Sequence, residues 1–216
     1  MFLGLDPSFP GRPAAFALLD GEPRLRELGD THDVVSLVER VRPVVVAIDA
    51  PLFLPAGWGC LDWPCTCGRC TAPPTARRRA ELAMASLGLG LFWTTKQGLL
   101  RPLVQWAIVL RGELESRGWP VIEVYPYATR VRLLGRPPAR KGTLLGRAWT
   151  QQGLAGRIAG LPDPAQRLLG HDALDALLAA YTGLLWHRGL GEAIGDEEEG
   201  AIVVPRAAVA GAGGLC

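Results

Sequence analysis

The feature that most constrains the fold of this chain is a continuous apolar run, PVVVAIDAP, at residues 43–51. A run that is apolar and β-branched at successive positions is typical of a strand buried on both faces, as in a parallel sheet covered by helices. The run contains an acid, Asp49, whose carboxylate is costly to bury unless it is hydrogen-bonded, bound to a metal or at the rim of the sheet. The run therefore predicts a central strand that ends at a rim or at a site.

Around this strand the sequence alternates between strand patterns and helical patterns. Strands are predicted at residues 2–6, in two halves of 14–30 around an Asp20-Gly21 turn, at 121–126 and, as a short edge strand, at 201–205. Helical spacing is found at 33–40, 75–85, 100–117, 128–134, 144–158 and 172–186. Because a hairpin comes first and parallel connections follow, we predict an α/β fold with a mixed central β-sheet flanked by α-helices.

Length and composition bound the class of protein. With 216 residues, of which 49% are hydrophobic and 20% are charged, the chain fits one soluble globular domain over residues 1–216, with a cysteine-rich loop insertion at about 54–76. No apolar run approaches the roughly 20 residues that a membrane helix needs, and the N-terminus lacks the pattern of a signal peptide. We therefore expect a cytoplasmic protein with no membrane partner. The sequence does not fix the oligomeric state, and a homodimer stays open.

Acids recur at the ends of predicted strands and at the start of the last helix. Asp6 closes the first strand, Glu123 lies in the strand at 121–126, and Asp172 and Asp175 are three residues apart on one helix face. The carboxyl ends of strands form the usual binding crevice of an open α/β sheet. A single acid at such a position is usually a helix cap or a structural residue whose hydrogen bonds are all made. The role of helix cap would suit Asp172. The whole set instead predicts a shared site.

Converging carboxylates repel one another, which raises some of their pKa values unless a cation neutralises them. Oxygen ligands without histidine or cysteine suit Mg²⁺ or Mn²⁺. Two such ions about 4 Å apart would activate a water and stabilise the leaving oxygen of a phosphodiester. We therefore predict that Asp6, Asp49, Asp172 and Asp175 are catalytic and hold two ions, with Glu123 as a further ligand or a base.

Several of these segments occur in the order found in one family. GLDPS, VVVAIDAPL, the stretch from RRRAE to VIEVYP, the Lys141-Gly142 step and HDALDALLAA resemble domain-of-unknown-function family 429 (DUF429), described as predicted nucleases of ribonuclease H-like fold. The resemblance covers almost the whole chain, through to GAIVVP near its C-terminus. The last helix also resembles that of the Holliday-junction resolvases of the RuvC type, in which paired aspartates precede an alanine-rich helix.

The resemblance implies a ribonuclease H-like α/β fold and a hydrolase that acts as a nuclease. By that likeness Asp6 matches the ligand on the first strand, Asp49 the acid on the central strand, and Asp172 or Asp175 the ligand on the last helix. The resolvases have glutamate where this chain has Asp49, and the resemblance leaves the role of Glu123 open. The expected function is metal-dependent hydrolysis of nucleic-acid phosphodiester bonds, with DNA or RNA as the partner.

Four cysteines lie close together in the segment CLDWPCTCGRC, namely Cys60, Cys65, Cys67 and Cys70. Four thiolates suit tetrahedral zinc, and the gap between Cys67 and Cys70 is the one common in zinc knuckles. The spacing as a whole matches no standard zinc motif. A structural zinc ion, an iron–sulfur cluster, a disulfide and free thiols therefore all stay open at this stage.

Nearly all of the positive charge is arginine, since Lys96 and Lys141 are the only lysines, and the net charge is +2. Arginine favours bidentate contacts with phosphate, although codon bias in a GC-rich genome explains the same composition. A basic group follows the strand at 121–126. It is predicted to hold a phosphate backbone near the acids, with a solvated helix face as the alternative. Its candidate substrate-binding members are Arg130, Arg136, Arg140 and Lys141.

Two other functions compete with that of a nuclease. A phosphotransferase of the related actin-like fold would need a glycine-rich phosphate loop after the first strand, and Pro7-Ser8-Phe9-Pro10-Gly11 is a poor one. A non-catalytic nucleic-acid-binding or regulatory module would keep the fold and show no metal response at the acids.

Overall fold

The computed structural model describes residues 1–196 and 198–207. The strands in these residues are β1 (Phe2–Asp6), β2 (Ala14–Leu19), β3 (Leu25–Thr31), β4 (Val45–Ile48), β5 (Val121–Val124), β6 (Gly191–Asp196) and β7 (Gly200–Pro205). The helices are α1 (Val34–Val41), α2 (Arg79–Ser86), α3 (Arg101–Ser116), α4 (Pro126–Leu134), α5 (Leu144–Ala155) and α6 (His171–His187). None of the helices in the described part of the chain has the length and apolar character needed to cross a membrane.

The strands form one mixed sheet in the order β3-β2-β1-β4-β5-β7-β6. β2 pairs antiparallel with both β1 and β3, whereas β4 pairs parallel with β1 and with β5. Asp20 shapes the turn after β2, because its carboxylate accepts hydrogen bonds from the backbone N–H groups of Glu22 and Arg24. The predicted α/β class, a mixed central sheet flanked by helices, is confirmed.

Two predicted details are wrong. The strand at the C-terminal end is not an edge strand, because β7 lies between β5 and β6, and β6 forms that edge. β6 carries glycine at Gly191 and Gly195, so its apolar pattern is too weak to predict a strand. The helix predicted from residue 75 begins only at Arg79, because a turn in which Ala76 N–H donates to the Pro73 carbonyl precedes it.

Alternating side chains give the sheet two separate cores. Leu5 of β1 and Ile48 of β4 pack on the side covered by α1 and α3. Phe2 of β1 and Val45 of β4 pack on the opposite side, against α5 and α6. Since successive side chains of a strand point to opposite faces, the parity of a residue determines which helices its side chain meets.

α6 is the central helix of the fold and lies directly against β1. All of its residues from Leu174 to Leu185 are buried. A Cβ atom on Gly4 would lie 2.1 Å from the carbonyl oxygen of Ala176 and 2.2 Å from the amide nitrogen of Ala180. Only glycine at this position lets the helix backbone approach the strand so closely.

We expect Gly4→Ala to lower the free energy of unfolding by about 3 kcal/mol or more. Overpacking against side chains costs about 1–3 kcal/mol, and here the added methyl group meets backbone atoms that cannot rotate away. Urea unfolding followed by circular dichroism measures the change.

Gly112→Ala is the matched control, because a Cβ atom on this exposed glycine of α3 meets no atom within 4 Å. Alanine there should raise the stability by about 0.5–1 kcal/mol through its helix propensity. Equal stabilities of the two variants would contradict the close packing of α6 on β1.

Candidate metal-binding site

Three carboxylates converge at the carboxyl ends of β1 and β4. Asp6 is the last residue of β1, Asp49 directly follows β4, and Asp175 lies in the second turn of α6. The backbone N–H of Asp49 donates to the Leu5 carbonyl at 2.9 Å, which holds Asp49 beside the end of β1. One carboxylate oxygen from each of the three acids lies within 4.8 Å of the other two.

Strand parity explains why these acids meet. Asp6 follows Phe2 and Gly4 on the side of β1 that faces α6, and Asp49 follows Val45 and Ala47 in the same way on β4. The close approach of α6 at Gly4 then brings Asp175 over both strand ends. The site is thus built by two strand ends and one helix start.

The electrostatics of the three acids are unfavourable when no cation is bound. Burial and the charges of Asp49 and Asp175 raise the pKa of Asp6 to about 9. Burial, followed by the charge of Asp175, raises the pKa of Asp49 well above its usual range. Such shifts indicate a site with too little positive charge for its carboxylates.

Lys141 contributes positive charge to the acids. Its Nζ donates to Asp175 Oδ2 at 2.5 Å. Burial opposes the charge of this ammonium, but the hydrogen bond to Asp175 and the charges of Asp175, Asp49 and Asp6 together outweigh that effect and raise the pKa of Lys141. Its side chain is 49% exposed, so it reaches the buried acid from the surface of the protein.

Asp172 lies outside the converging group. Its side chain is 54% exposed, and its Oδ1 is 3.0 Å from His171 Nε2. It does not cap α6, because the N-cap residue is Gly170 and the cap has no side-chain hydrogen bond. Its charge nevertheless contributes to the raised pKa of Asp6.

Glu123, predicted as a ligand or a base, is not brought into the group. It shares the parity of Val121, which packs on the α3 side of the sheet, and therefore points away from α6. Both of its carboxylate oxygens are bound by the Arg78 guanidinium, at 2.8 and 2.9 Å, and Leu52 N–H donates to Oε2 at 2.8 Å. These three hydrogen bonds involve both oxygens of Glu123 and account for its charge without a metal ion.

Sequence analysis missed the buried residues around Glu123. Arg78 is fully buried and lies next to Glu81, at 3.9 Å. Glu199 is also buried, and its carboxylate accepts hydrogen bonds from the backbone N–H groups of Ala56 and Arg79. The three arginines at 77–79 and the acidic run at 196–199 predict solvent-exposed charge. No local signal in the sequence marks Arg78 and Glu199 as buried.

The predicted substrate-binding basic residues differ in exposure. Arg136 and Arg140 are exposed on the segment between α4 and α5 that also carries Lys141. Arg130 is only 3% exposed. Its guanidinium carbon lies 5.4 Å from the ring centre of Tyr127, and its Nε has no hydrogen-bond partner among the described residues.

The four cysteines of the loop converge as a second group. The Sγ atoms of Cys60, Cys65, Cys67 and Cys70 all lie within 4.8 Å of one another. All four are free thiols. The cysteines and the carboxylates form two different groups.

A family model described as "Protein of unknown function (DUF429)" matches residues 92–200, just over half of the chain. The chain belongs to the DUF429 family. The matched region of this DUF429 protein includes Lys141 and Asp175, whereas Asp6, Asp49 and the four cysteines precede it. No curated protein matches the chain.

Two similar solved structures are both of RuvC from Thermus thermophilus. One is 14% identical to the DUF429 chain, covers 87% of it and 95% of the RuvC chain, and has a TM-score of 0.43. The other is RuvC in complex with Holliday junction substrate, with 13% identity, 92% and 98% coverage and a TM-score of 0.46. At this identity and TM-score the likeness assigns no role to any residue of the chain.

The raised pKa values predict how the stability of the protein depends on pH when no Mg²⁺ or Mn²⁺ is added. An aspartate that titrates at 3.8 when unperturbed titrates at about 9 at Asp6 in the folded chain. Between these values the folded state binds more protons than the unfolded state, so stability falls as the pH rises from about 4 to about 9. The melting temperature of the wild type should fall across this window more steeply than that of Asp6→Asn.

Glu22→Gln is the control, since it removes the charge of an exposed acid in the turn between β2 and β3, at the opposite end of β1 from Asp6, and its melting temperature should follow the wild type. Parallel pH profiles for wild type and Asp6→Asn would show that the pKa of Asp6 is not raised in the folded protein.

Proposed function

We propose that this protein is a metal-dependent nuclease that hydrolyses phosphodiester bonds of nucleic acid. The observation that carries the proposal is the convergence of Asp6, Asp49 and Asp175, with one oxygen from each within 4.8 Å of the others. Three carboxylates this close can all be ionised only when a cation lies between them. Without a cation, some of them take up protons.

The donor set fits Mg²⁺ or Mn²⁺. All three groups are carboxylates, and hard oxygen ligands without nitrogen or sulfur suit these ions. The three acids face one nearby ammonium, that of Lys141, so a divalent ion would complete the neutralisation. Asp6, Asp49 and Asp175 would hold one ion. Asp172, three residues before Asp175 and close enough to raise the pKa of Asp6, is the further carboxylate for a second.

When bound, a pair of such ions supplies an activated water and stabilises the charge on the leaving oxygen of a phosphodiester. The side chains have a different task. Asp6 and Asp49 orient the site from two rigid strand ends, and Asp175 closes it from a helix that is buried on nearly all sides. None of these side chains acts as the nucleophile in this proposal.

Basic residues beside the acids support a phosphate-containing substrate. Lys141 contacts Asp175 and is half-exposed, so its ammonium is available to an incoming phosphate at the same place. Arg136 and Arg140 are exposed on the same segment. Exposed arginines that contact the phosphate backbone are typical of nucleic-acid binding. Such contacts give affinity without sequence preference.

Arg130 is a further basic residue to consider, although Arg111 and Arg147 also have a buried Nε without a hydrogen-bond partner among the described residues. A buried guanidinium nitrogen without a hydrogen-bond acceptor is unfavourable, and a phosphate oxygen would provide the acceptor. The charges of Arg130, Asp49 and Asp175 all act on Tyr125, which supports a position of this arginine near the acids. Arg130 is therefore a further candidate for contact with a phosphate group.

A cleavage screen tests the proposed function. Structured and single-stranded DNA and RNA are incubated with the protein in Mg²⁺ or Mn²⁺, and Asp6→Asn should lower cleavage by at least about a thousandfold because it removes a ligand. Thermal melts in the same buffers report metal binding separately. Bound metal stabilises the folded wild type by mass action, and Asp6→Asn should gain much less from it.

Glu22→Gln again serves as the matched control and should keep both the cleavage and the metal-induced rise in melting temperature. A metal-induced rise without cleavage of any substrate would contradict the proposed nuclease activity while leaving the metal site in place. The absence of a metal effect on the wild type would overturn the proposed site itself and would favour a non-catalytic binding module.

A further inference from the structure

The strongest feature outside the acid site is the geometry of the cysteine group. Its neighbouring Sγ atoms are 3.4 Å apart between Cys60 and Cys65, 3.4 Å between Cys65 and Cys67, 3.7 Å between Cys67 and Cys70, and 3.8 Å between Cys60 and Cys70. Four thiolates at about 2.3 Å from a tetrahedral zinc ion are about 3.8 Å from one another. These four distances are close to the edges of a zinc tetrahedron, and the two remaining sulfur pairs lie within 4.8 Å.

Lys96 lies against this group and is the only lysine near it. Its Nζ is 3.1 Å from Cys70 Sγ and 3.9 Å from Cys60 Sγ, and its side chain is almost fully buried, with the ammonium 5.1 Å from the ring centre of Trp58. Among the described residues no carboxylate forms an ion pair with it. A buried ammonium needs a negative partner, and the sulfur atoms are the candidates in contact.

We propose that Cys60, Cys65, Cys67 and Cys70 bind one Zn²⁺ ion as a structural centre, and that Lys96 stabilises their thiolates around it. Each coordinating thiol gives up its proton to solvent when zinc binds. Four thiolates leave the zinc centre with two negative charges, and Lys96 offsets one of them. Backbone N–H groups add to this, since Gly59 donates to Cys70 Sγ at 3.2 Å and Arg69 donates to Cys67 Sγ at 3.4 Å.

The centre has a structural task because its segment has little other support. Residues 54–76 contain no helix or strand. A small apolar cluster, in which Trp58 and Leu61 pack on Val104 of α3, is their main core. A segment with so little buried apolar surface is typically stapled by a metal or by disulfides, and the thiols here are free.

Buried contacts connect this segment to the rest of the fold. Thr94, two residues before Lys96, donates both its N–H and its hydroxyl to Glu81, which lies beside Arg78. Arg78 in turn holds Glu123, which accepts the backbone N–H of Leu52, three residues beyond Asp49. Loss of zinc should therefore lower the stability of the whole chain and not only of the loop.

Metal analysis of the full chain, purified without chelator, tests the proposal. We expect about one zinc per chain, and after exchange with Co²⁺ the absorption bands of tetrahedral cobalt–thiolate coordination. Cys67→Ser should lose the zinc and melt at least about 5 °C lower. Cys216→Ser, which alters the cysteine outside the described residues, should keep both the zinc and the melting temperature.

Two further variants separate this centre from the acid site and from a mere thiol cluster. Asp6→Asn should keep its zinc, because the carboxylates form a different group. Lys96→Met should still fold and bind zinc, but about tenfold more weakly in competition with a chelator, as expected for a residue that supports metal ligands. Less than about a tenth of a zinc per chain in the wild type, iron in its place, or oxidised cysteines in the purified protein would overturn the proposal.

Discussion

The approach of α6 to β1 at Gly4 is the contact on which the rest of the structure depends. The helix backbone lies so close to the strand that no side chain fits between them. That closeness sets the position of Asp175 relative to the strand ends, and therefore the distance between the three acids. It also explains the composition of α6, because a helix covered by the sheet on one side and by α4 and α5 on the other needs small and apolar residues such as its alanines and leucines.

Two groups of buried charge lie on opposite sides of the sheet and are balanced differently. Glu123 has a bidentate arginine and a backbone donor, so its charge is matched by hydrogen bonds of good geometry. Asp6 and Asp49 have strongly raised pKa values and share a single nearby lysine with Asp175. The first arrangement connects β5 to Arg78 and to the segment after β4. The second is unsatisfied in the protein alone, and that imbalance is what points to a ligand of positive charge.

The sequence predicted the mixed sheet and the acids that end β1 and β4, because apolar runs and the residues that close them are local signals. It could not separate Glu123 from Asp49. Both belong to apolar runs, Asp49 directly after a strand and Glu123 within one. Only the register of β5 against β4, which pairs Glu123 with Ile48, reveals that Glu123 faces the other side. Gly4, Arg78 and the edge strand β6 were missed for a related reason. Their roles depend on partners far away in the chain, and their own neighbours give no sign of them.

The measurement that tests the central claim most directly is a crystal structure of the protein soaked in Mn²⁺, with anomalous diffraction data to locate the ion. We expect an anomalous peak bounded by oxygen atoms of Asp6, Asp49 and Asp175, at the bond lengths of about 2.0–2.3 Å that hard oxygen ligands give, and with Lys141 displaced from Asp175. A structure in which Lys141 keeps its contact with Asp175 and no peak lies among the three carboxylates at millimolar Mn²⁺ would contradict the account.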